Sequence, residues 1–413
     1  MLLDGCGDRP VPSLNYTTPL EAANTPNLDR IAARSRLGSV TTVGRGIAPE
    51  SDIAVFNMLG YSFEKGYPGR GVIEAVGSGL EVRKGDLALR ANLASAKGRK
   101  IVDRRAGRNL TQAEAELLAR DLNGISLDGA RFEFRATISY RGVLVIREEE
   151  PLSAAISNTD PAYARVGGFG AAKEPSGADH VMRCVPESKE KSAVRAAMLV
   201  NEFTRKAQQV LNSSEVNKDR VREGKLPANL VLLRDAGDHL PNPTPFEKKY
   251  GMAGTALVEM PAEVGIARLL RMKMVPIKDR KDMSEKARLF SSELKEGTIV
   301  YVHIKGPDEF GHDGDARGKK KNIESIDKEF FSAALKHIDD STIAVSCDHA
   351  TPCTLKRHSA DPVPLLVSGT GRGDGRRFDE ANAILGSLGH LRGYEVLGKV
   401  VRGGLGPSTS SEV

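Results

Sequence analysis

Side chains that can bind metal ions follow the ends of several predicted strands. The segments are Asp308-Glu-Phe-Gly-His312-Asp-Gly-Asp315 after a strand ending at Ile304, Cys347-Asp348-His349 after a strand over 341–346, His358 shortly beyond, and Asp4 after the first apolar residues. In open α/β sheets, the functional crevice lies at the carboxyl ends of the strands. We therefore expect these segments to meet at one edge of a sheet.

This donor set predicts two metal ions. One set of ligands would be Asp308, His312 and His358, and the other would be Asp4, Asp348 and His349. Mixed carboxylate and imidazole ligands suit Mn²⁺, Zn²⁺ or Co²⁺ better than Mg²⁺. Two metals about 4 Å apart can activate a nucleophile and hold a transferring phosphoryl group. Taken singly, each histidine fits an ordinary polar surface position, so the prediction depends on the whole constellation.

The strands and helices that must position these residues predict an α/β fold. Continuous apolar strands at 229–233, 298–304, 341–346 and 364–368 alternate with helices. That pattern is typical of a mostly parallel sheet with helices on both faces. A helix is predicted to begin near Ser51-Asp52, because its first turn is rich in acidic and hydroxyl groups.

Between residues 71 and 185 the pattern changes to short alternating segments around a helix at 112–123, which predicts an inserted α+β domain. Residues 1–70 and 186–404 would then form one discontinuous domain. Residues 66–75 are interpreted as a hinge or crossing loop. The polar residues 405–413 are predicted to be a disordered tail.

Composition excludes several classes of protein. The chain has 413 residues, of which 40% are hydrophobic and 28% charged, so a fibrous or largely disordered protein is excluded. Tryptophan is absent and aromatic residues make up 5%, which argues against a stacking platform for single-stranded nucleic acid. The net charge of +6 suits a small anionic substrate, and equally a solvated surface without a partner.

The cysteines and the apolar segments of the sequence predict a cytoplasmic protein. The four cysteines form no C-x-x-C pair, no signal peptide is evident, and no apolar run is long enough to cross a membrane. We expect neither nucleic-acid nor membrane binding, and the sequence does not indicate the oligomeric state.

Seven motifs, in order and over nearly the whole chain, resemble the archaeal-type cofactor-independent phosphoglycerate mutases of the alkaline phosphatase superfamily. The motifs are Asp4-Gly-Cys-Gly-Asp8-Arg-Pro, Thr25-Pro-Asn-Leu-Asp-Arg, Pro49-Glu-Ser51-Asp, Asp103-Arg-Arg-Ala-Gly-Arg108, Asp308-to-Asp315, Asp348-His-Ala-Thr-Pro-Cys353 and His358-Ser-Ala-Asp-Pro-Val-Pro. The resemblance implies an alkaline-phosphatase-like fold, two divalent metals, typically Mn²⁺, and a serine nucleophile. It also implies interconversion of 3-phosphoglycerate and 2-phosphoglycerate in glycolysis and gluconeogenesis, without 2,3-bisphosphoglycerate.

The resemblance assigns roles to individual residues. Ser51 would be the nucleophile that forms a phosphoserine intermediate. It would also bind a metal together with Asp4, Asp348 and His349, while Asp308, His312 and His358 would bind the second metal. These are the two sets that the spacing had suggested. The inserted domain would close over the site and exclude water, which would otherwise turn the mutase into a phosphatase.

The resemblance and the charge pattern also indicate substrate ligands. Because arginine grips carboxylates in a bidentate fashion, the candidates are Asp103, Arg104, Arg105 and Arg108 in the inserted domain, with Lys305 beside the metal residues. Two alternatives stay open at this point. One is another metal-dependent phosphotransferase or phosphatase of the superfamily, such as a homoserine kinase-like enzyme. The other is an interaction protein that binds no metal.

Overall fold

The computed structural model describes residues 1–62, 67–166, 169–172, 180–279, 282–369 and 371–401. The chain divides into two compact units. Unit 1 comprises residues 1–63, 243–259 and 270–413, and unit 2 comprises residues 64–242 and 260–269. The predicted tail at 405–413 lies outside the described residues. Within the described ranges, no helix has both the length and the apolar character needed to cross a membrane.

The elements are numbered in chain order. The strands are β1 Leu2–Leu3, β2 Arg36–Thr41, β3 Leu87–Lys97, β4 Lys100–Asp103, β5 Arg131–Ala136, β6 Arg141–Arg147, β7 Tyr163–Val166, β8 Phe169–Ala172, β9 Leu230–Gly237, β10 Ala253–Leu257, β11 Lys273–Met274, β12 Thr298–Ile304, β13 Ala344–Cys347, β14 Val363–Val367 and β15 Gly389–Arg392. The α-helices are α1 Pro19–Ala22, α2 Pro26–Ala33, α3 Ser51–Met58, α4 Arg70–Gly77, α5 Gln112–Asn123, α6 Lys191–Ser213, α7 Glu215–Arg222, α8 Phe246–Tyr250, α9 Pro261–Leu269, α10 Met283–Glu293, α11 Pro307–Asp313, α12 Ala316–Ile326, α13 Ser332–Ala334, α14 Glu380–Ile384 and α15 Gly393–Val401. Short 3₁₀ turns lie at Pro12–Leu14, Ala106–Arg108 and Leu335–His337, and a π-helical turn lies at Asp327–Phe331.

Unit 1 is built on an eight-stranded sheet with the order β11-β10-β12-β1-β13-β14-β2-β15. Only β14 runs antiparallel to its neighbours within this sheet; the other pairings are parallel. Every residue of β1 and β14 is buried, so both faces of the sheet are covered there. The predicted fold class, a mostly parallel sheet flanked by helices, is confirmed.

The register at the centre of this sheet places the acidic residues side by side. β1 lies between β12 and β13, and Leu3 pairs with Ile304 on one side and Cys347 on the other. The next residue, Asp4, donates its backbone N–H to the carbonyl of Ile304 over 2.9 Å. Because parallel strands point their carboxyl ends the same way, the residues that follow the three strands meet at one edge.

Unit 2 contains an antiparallel sheet with the order β4-β3-β6-β5. A fifth strand, β9, also pairs with β3, along the edge opposite β6. The strand predicted at 229–233 is therefore present as β9, but it does not belong to the large parallel sheet. Its alternate residues enter two cores, since Val231 packs in a cluster with Phe203, and Leu232 packs in a cluster with Ile101. A strand buried on both faces reads as a continuous apolar run whichever way its neighbours run.

The units differ from the boundaries 71–185 drawn from the sequence. Residues 186–242, with α6 and β9, group with unit 2, because β9 hydrogen-bonds to β3 along most of its length. The interpretation of 66–75 as a hinge or loop is wrong for its second half, which is the start of α4. Val72 and Ala75 are buried on this helix, and their helical spacing is hidden in the sequence by the surrounding glycines.

Helices α4 and α9 cross at glycines. A Cβ added to Gly265 of α9 would overlap the backbone carbonyl of Ile73, and one added to Gly77 of α4 would overlap the carbonyl of Pro261. The two backbones therefore touch directly, and neither glycine can be replaced without separating the helices.

We expect Gly265→Ala to lower the urea midpoint of unfolding, by the equivalent of about 1–3 kcal/mol, because overpacking forces the helices apart. The matched control is Gly398→Ala in α15, where no atom of the described residues outside the helix's own backbone lies within 4 Å of the added Cβ. The control should gain up to about 1 kcal/mol from alanine's higher helix propensity. Far-UV circular dichroism in urea measures both, and equal responses of the two variants would contradict the close crossing.

Candidate metal and phosphoryl-transfer site

Three strand ends in unit 1 bring Asp4, Lys305 and Asp348 together. Lys305 Nζ lies 3.0 Å from Asp4 Oδ2. Asp348 Oδ1 accepts two backbone N–H groups, from Gly5 and His349, each over 3.0 Å. The other oxygen, Asp348 Oδ2, is buried and accepts no hydrogen bond from any residue that the structure describes. It is therefore available to a cation.

Ser51 lies against these carboxylates because it is the first residue of α3. Glu50, which precedes it, is extended, so the helix begins where the sequence predicted. Ser51 Oγ is 3.1 Å from His349 Nε2 and 3.5 Å from Asp4 Oδ1. The serine side chain is buried, and the start of a helix supplies N–H groups that favour a bound phosphate.

Two further imidazoles are oriented by backbone carbonyls. His358 Nδ1 is 2.8 Å from the carbonyl oxygen of Pro49, and His312 Nδ1 is 3.1 Å from that of Lys356. A carbonyl only accepts, so each Nδ1 carries the proton and each Nε2 is left for another partner. Both Nε2 atoms lie 3.5 Å from a carboxylate oxygen of Asp308. Metal-binding histidines are commonly held in this way.

His303 also enters the site, and the sequence reasoning missed it. Its Nε2 lies 3.8 Å from Asp4 Oδ1 and 3.7 Å from Asp348 Oδ2, while its Nδ1 is 2.8 Å from the hydroxyl of Tyr301. The prediction concerns residues that follow the strands, whereas His303 is inside β12. The available signal was a histidine in an otherwise apolar strand, next to its last residue.

The metal-binding side chains form two groups of three. In each group the ligand atoms lie within 4.8 Å of one another: Asp4, His303 and Asp348 in one, and Asp308, His349 and His358 in the other. These groups differ from the two predicted sets. His349 lies between them, since its Nε2 is also 3.4 Å from Asp348 Oδ2. His312 is in neither group, and its side chain is 42% exposed.

The charges in the site favour ionised Asp4 and Asp308 and a neutral His349. Burial opposes ionisation of Asp4, but Lys305 and His303 hold its pKa well below the ordinary value. Burial and Asp4 likewise oppose ionisation of Asp308, but His358 lowers its pKa. Burial lowers the pKa of His349, which keeps a nitrogen lone pair on the ring.

These residues fit divalent metal ions. Carboxylate oxygens and neutral imidazoles are ligands that such ions accept. The unpartnered Asp348 Oδ2 points to the same conclusion, because a buried charged oxygen is costly without a partner.

The predicted substrate residues of unit 2 are placed on and after β4. Asp103 Oδ1 accepts the backbone N–H groups of Arg105 and Gly107, over 2.7 and 3.1 Å, so this side chain shapes the turn. Arg104 forms an ion pair with the buried carboxylate of Asp160. Arg105 and Arg108 have no side-chain partner among the described residues.

Comparisons with known proteins identify the family of the chain. A family model described as 2,3-bisphosphoglycerate-independent phosphoglycerate mutase matches residues 32–217. A protein of that name from Aeropyrum pernix is 41% identical, over 97% of this chain and 98% of its own length. The chain belongs to the family of 2,3-bisphosphoglycerate-independent phosphoglycerate mutases. The resemblance seen in the motifs is thereby confirmed.

Three further proteins are similar to this chain over nearly its whole length. A 2,3-bisphosphoglycerate-independent phosphoglycerate mutase from Methanopyrus kandleri is 40% identical, over 95% of this chain and 93% of its own. The solved cofactor-independent phosphoglycerate mutase from Thermoplasma acidophilum is 32% identical, with a TM-score of 0.60 and 97% of each chain covered. The PH0037 protein from Pyrococcus horikoshii is 27% identical, with a TM-score of 0.76, and covers 100% of this chain and 98% of its own.

Near the candidate site, Glu380 at the start of α14 supports the loop that follows Asp4. Its Oε1 accepts a hydrogen bond from the backbone N–H of Asp8 over 3.0 Å, and its Oε2 accepts one from the hydroxyl of Thr18 over 2.7 Å. Burial raises the pKa of Glu380 to about 7. Folding therefore favours the protonated carboxyl.

This raised pKa predicts a pH-dependent stability. The contribution of Glu380 is fully present below about pH 4.5, its unfolded-state value, and is lost as the pH rises through about 7. Glu380→Gln cannot titrate, so the wild-type protein should lose up to about 3 kcal/mol relative to the variant between pH 5 and 8. Thermal unfolding at fixed metal content measures this, and a constant difference across that range would disprove the assignment.

Proposed function

We propose that this chain interconverts 3-phosphoglycerate and 2-phosphoglycerate through a phosphorylated Ser51, at a site with two divalent metal ions. Family membership supports the reaction. The position of Ser51 supports the route, because its buried hydroxyl lies 3.1 Å from His349 Nε2 at the start of α3. That observation carries the proposal.

The transfer takes two half-reactions. First, the bond from Ser51 Oγ to phosphorus forms while the bond from phosphorus to the substrate oxygen breaks. The proton that Ser51 loses is balanced by the proton that the freed glycerate hydroxyl gains. Second, the other glycerate hydroxyl attacks the phosphoserine and restores Ser51. No water and no bisphosphoglycerate is consumed.

The site residues have separate tasks in this scheme. Lys305 balances the charge of Asp4 and offers a cation to the phosphoryl or carboxylate oxygens of the substrate. Burial of Ser51, His349 and Asp348 keeps water from competing with glycerate for the phosphoserine.

We propose one metal ion for each of the two groups, with Ser51 and His312 as further candidate ligands. Mn²⁺ fits this mixture of carboxylates and imidazoles best, with Mg²⁺, Co²⁺ and Zn²⁺ as alternatives. Such ions, when bound, make a serine hydroxyl easier to ionise and offset charge on phosphoryl oxygens.

The nucleophile can be tested directly. Purified protein with Mn²⁺ and 3-phosphoglycerate, without 2,3-bisphosphoglycerate, should yield 2-phosphoglycerate in an assay coupled to enolase. Ser51→Ala should lower kcat by at least about a thousand-fold, because the group that receives the phosphoryl is gone. EDTA should abolish turnover, and added Mn²⁺ should restore it.

The matched control for this variant is Ser292→Ala, whose hydroxyl bonds only to the helix backbone at Leu289 among the described residues. It should leave kcat unchanged. Full activity of Ser51→Ala would overturn the nucleophile, and free phosphate in place of 2-phosphoglycerate would mean a hydrolase.

We also propose that Asp103, Arg104, Arg105 and Arg108 contribute to substrate binding. Arg105 and Arg108 are the sharpest test, because Asp103 and Arg104 already have protein partners. Arg105→Ala and Arg108→Ala should each raise the KM for 3-phosphoglycerate by about 10- to 100-fold, the cost of a lost charged hydrogen bond.

The control for these arginines is Arg83→Ala in the same unit, an exposed side chain paired with Glu81 over 2.9 Å. Steady-state kinetics give KM and kcat for all three variants. A KM no higher than that of the control would remove Arg105 or Arg108 from the substrate site.

A further inference from the structure

Thr351 lies between two residues of the proposed metal site, Asp308 and His349. It is fully buried. Its Oγ1 is 2.6 Å from Asp308 Oδ1 and 3.1 Å from His349 Nδ1. A hydroxyl has one proton to donate, so these two contacts cannot both use it.

The ionised carboxylate decides where that proton goes. Asp308 can only accept, and a separation of 2.6 Å is typical of a hydroxyl that donates to a carboxylate. The oxygen of Thr351 must then accept from His349, which puts the ring proton on Nδ1. His349 Nε2 is left with its lone pair, and this is the atom that lies 3.1 Å from Ser51 Oγ.

The neighbouring histidines are oriented in a different manner. His312 and His358 each donate Nδ1–H to a backbone carbonyl, which fixes the tautomer regardless of any other side chain. His349 depends on a hydroxyl, and that hydroxyl accepts only because it donates to Asp308. Of these three histidines, His349 is the one whose tautomer is tied to another site residue.

The backbone around Thr351 is itself held tightly. Lys319, which has no exposed surface, donates from Nζ to the carbonyl of Thr351 over 3.0 Å, to that of Gly7 over 3.2 Å, and to Asp8 Oδ2 over 2.8 Å. A Cβ on Gly5 would lie only 2.6 Å from Thr351 Oγ1. The hydroxyl therefore has little freedom to turn elsewhere.

We propose that Thr351 is a positioning residue for phosphoryl transfer, which holds His349 with its Nε2 lone pair toward Ser51 and fixes the Asp308 carboxylate at the same time. This inference rests on the proposed function for its kinetic consequence. Its structural core, the hydrogen-bond direction from His349 through Thr351 to Asp308, does not depend on the substrate.

A pair of variants isolates the hydroxyl. Thr351→Ser and Thr351→Ala both lose the methyl group, and they differ only in the oxygen. Loss of a residue that orients metal ligands typically costs about 10- to 100-fold in metal affinity or activity. We expect that loss for Thr351→Ala in Mn²⁺ affinity and in kcat/KM, and values within a few fold of wild type for Thr351→Ser.

Two measurements do not need turnover. Competition between the metal-free protein and a chelating indicator gives the Mn²⁺ affinity. Nitrogen-15 NMR of histidine-labelled, metal-free protein reports which ring nitrogen of His349 carries the proton, with His349→Gln assigning its signal among the 8 histidines. Wild type and Thr351→Ser should show Nδ1–H, and Thr351→Ala should lose that single tautomer.

The outcomes separate this inference from the proposed function. Without mutase activity in the wild-type protein the proposed reaction fails, yet the tautomer and the Mn²⁺ affinity still test Thr351. An unchanged tautomer and affinity in Thr351→Ala, or a Thr351→Ser that behaves like Thr351→Ala, would overturn the positioning role.

Folding defects are controlled separately. Thr255→Ala, at a buried threonine on β10, measures the cost of truncating a threonine elsewhere in unit 1 and should keep the wild-type Mn²⁺ affinity. If Thr351→Ala does not fold, Thr351→Val keeps the branched shape without the hydroxyl, and the same losses are expected of it.

Discussion

The site depends on the repulsion among neighbouring carboxylates. Asp4 and Asp348 are buried and Asp308 is partly buried, so each needs positive charge or hydrogen-bond donors nearby. Lys305 supplies a full charge to Asp4, and the ring nitrogens and backbone N–H groups supply most of the remaining partners. Asp348 Oδ2 accepts no hydrogen bond from the described residues. The affinity for divalent ions follows from carboxylate oxygens that lack a partner in this way.

The sequence predicts the site residues that directly follow the ends of strands. Asp4 and Asp348 could be placed together because an acidic residue directly follows each strand, and parallel register then leaves no choice of edge. His303 could not be found in this way, since its reach toward Asp4 depends on which side of β12 it occupies. The grouping of His349 with Asp308 depends on a contact between side chains, which spacing along the chain does not encode.

The same distinction explains the errors in the fold. The apolar run of β9 predicts a doubly buried strand, but it carries no information on strand direction, so β9 was assigned to the wrong sheet. In α4, Gly71 permits close contact with β3 and Gly77 permits close contact with α9, but in the sequence both look like the glycines of a loop. Local patterns identified buried elements, whereas their partners depend on residues that are distant in the chain.

The central position of β1 in the large sheet has a consequence for the timing of synthesis. Among the described elements, β1 pairs only with β12 and β13, which lie far along the chain, and the hydrogen bond from the Gly5 N–H to Asp348 spans 343 positions. At roughly 5–20 residues per second, a ribosome takes tens of seconds to cover that distance. The residues of β1 therefore wait, without their neighbours, while all of unit 2 is translated. A nascent chain cannot contain the complete centre until β12 and β13 emerge.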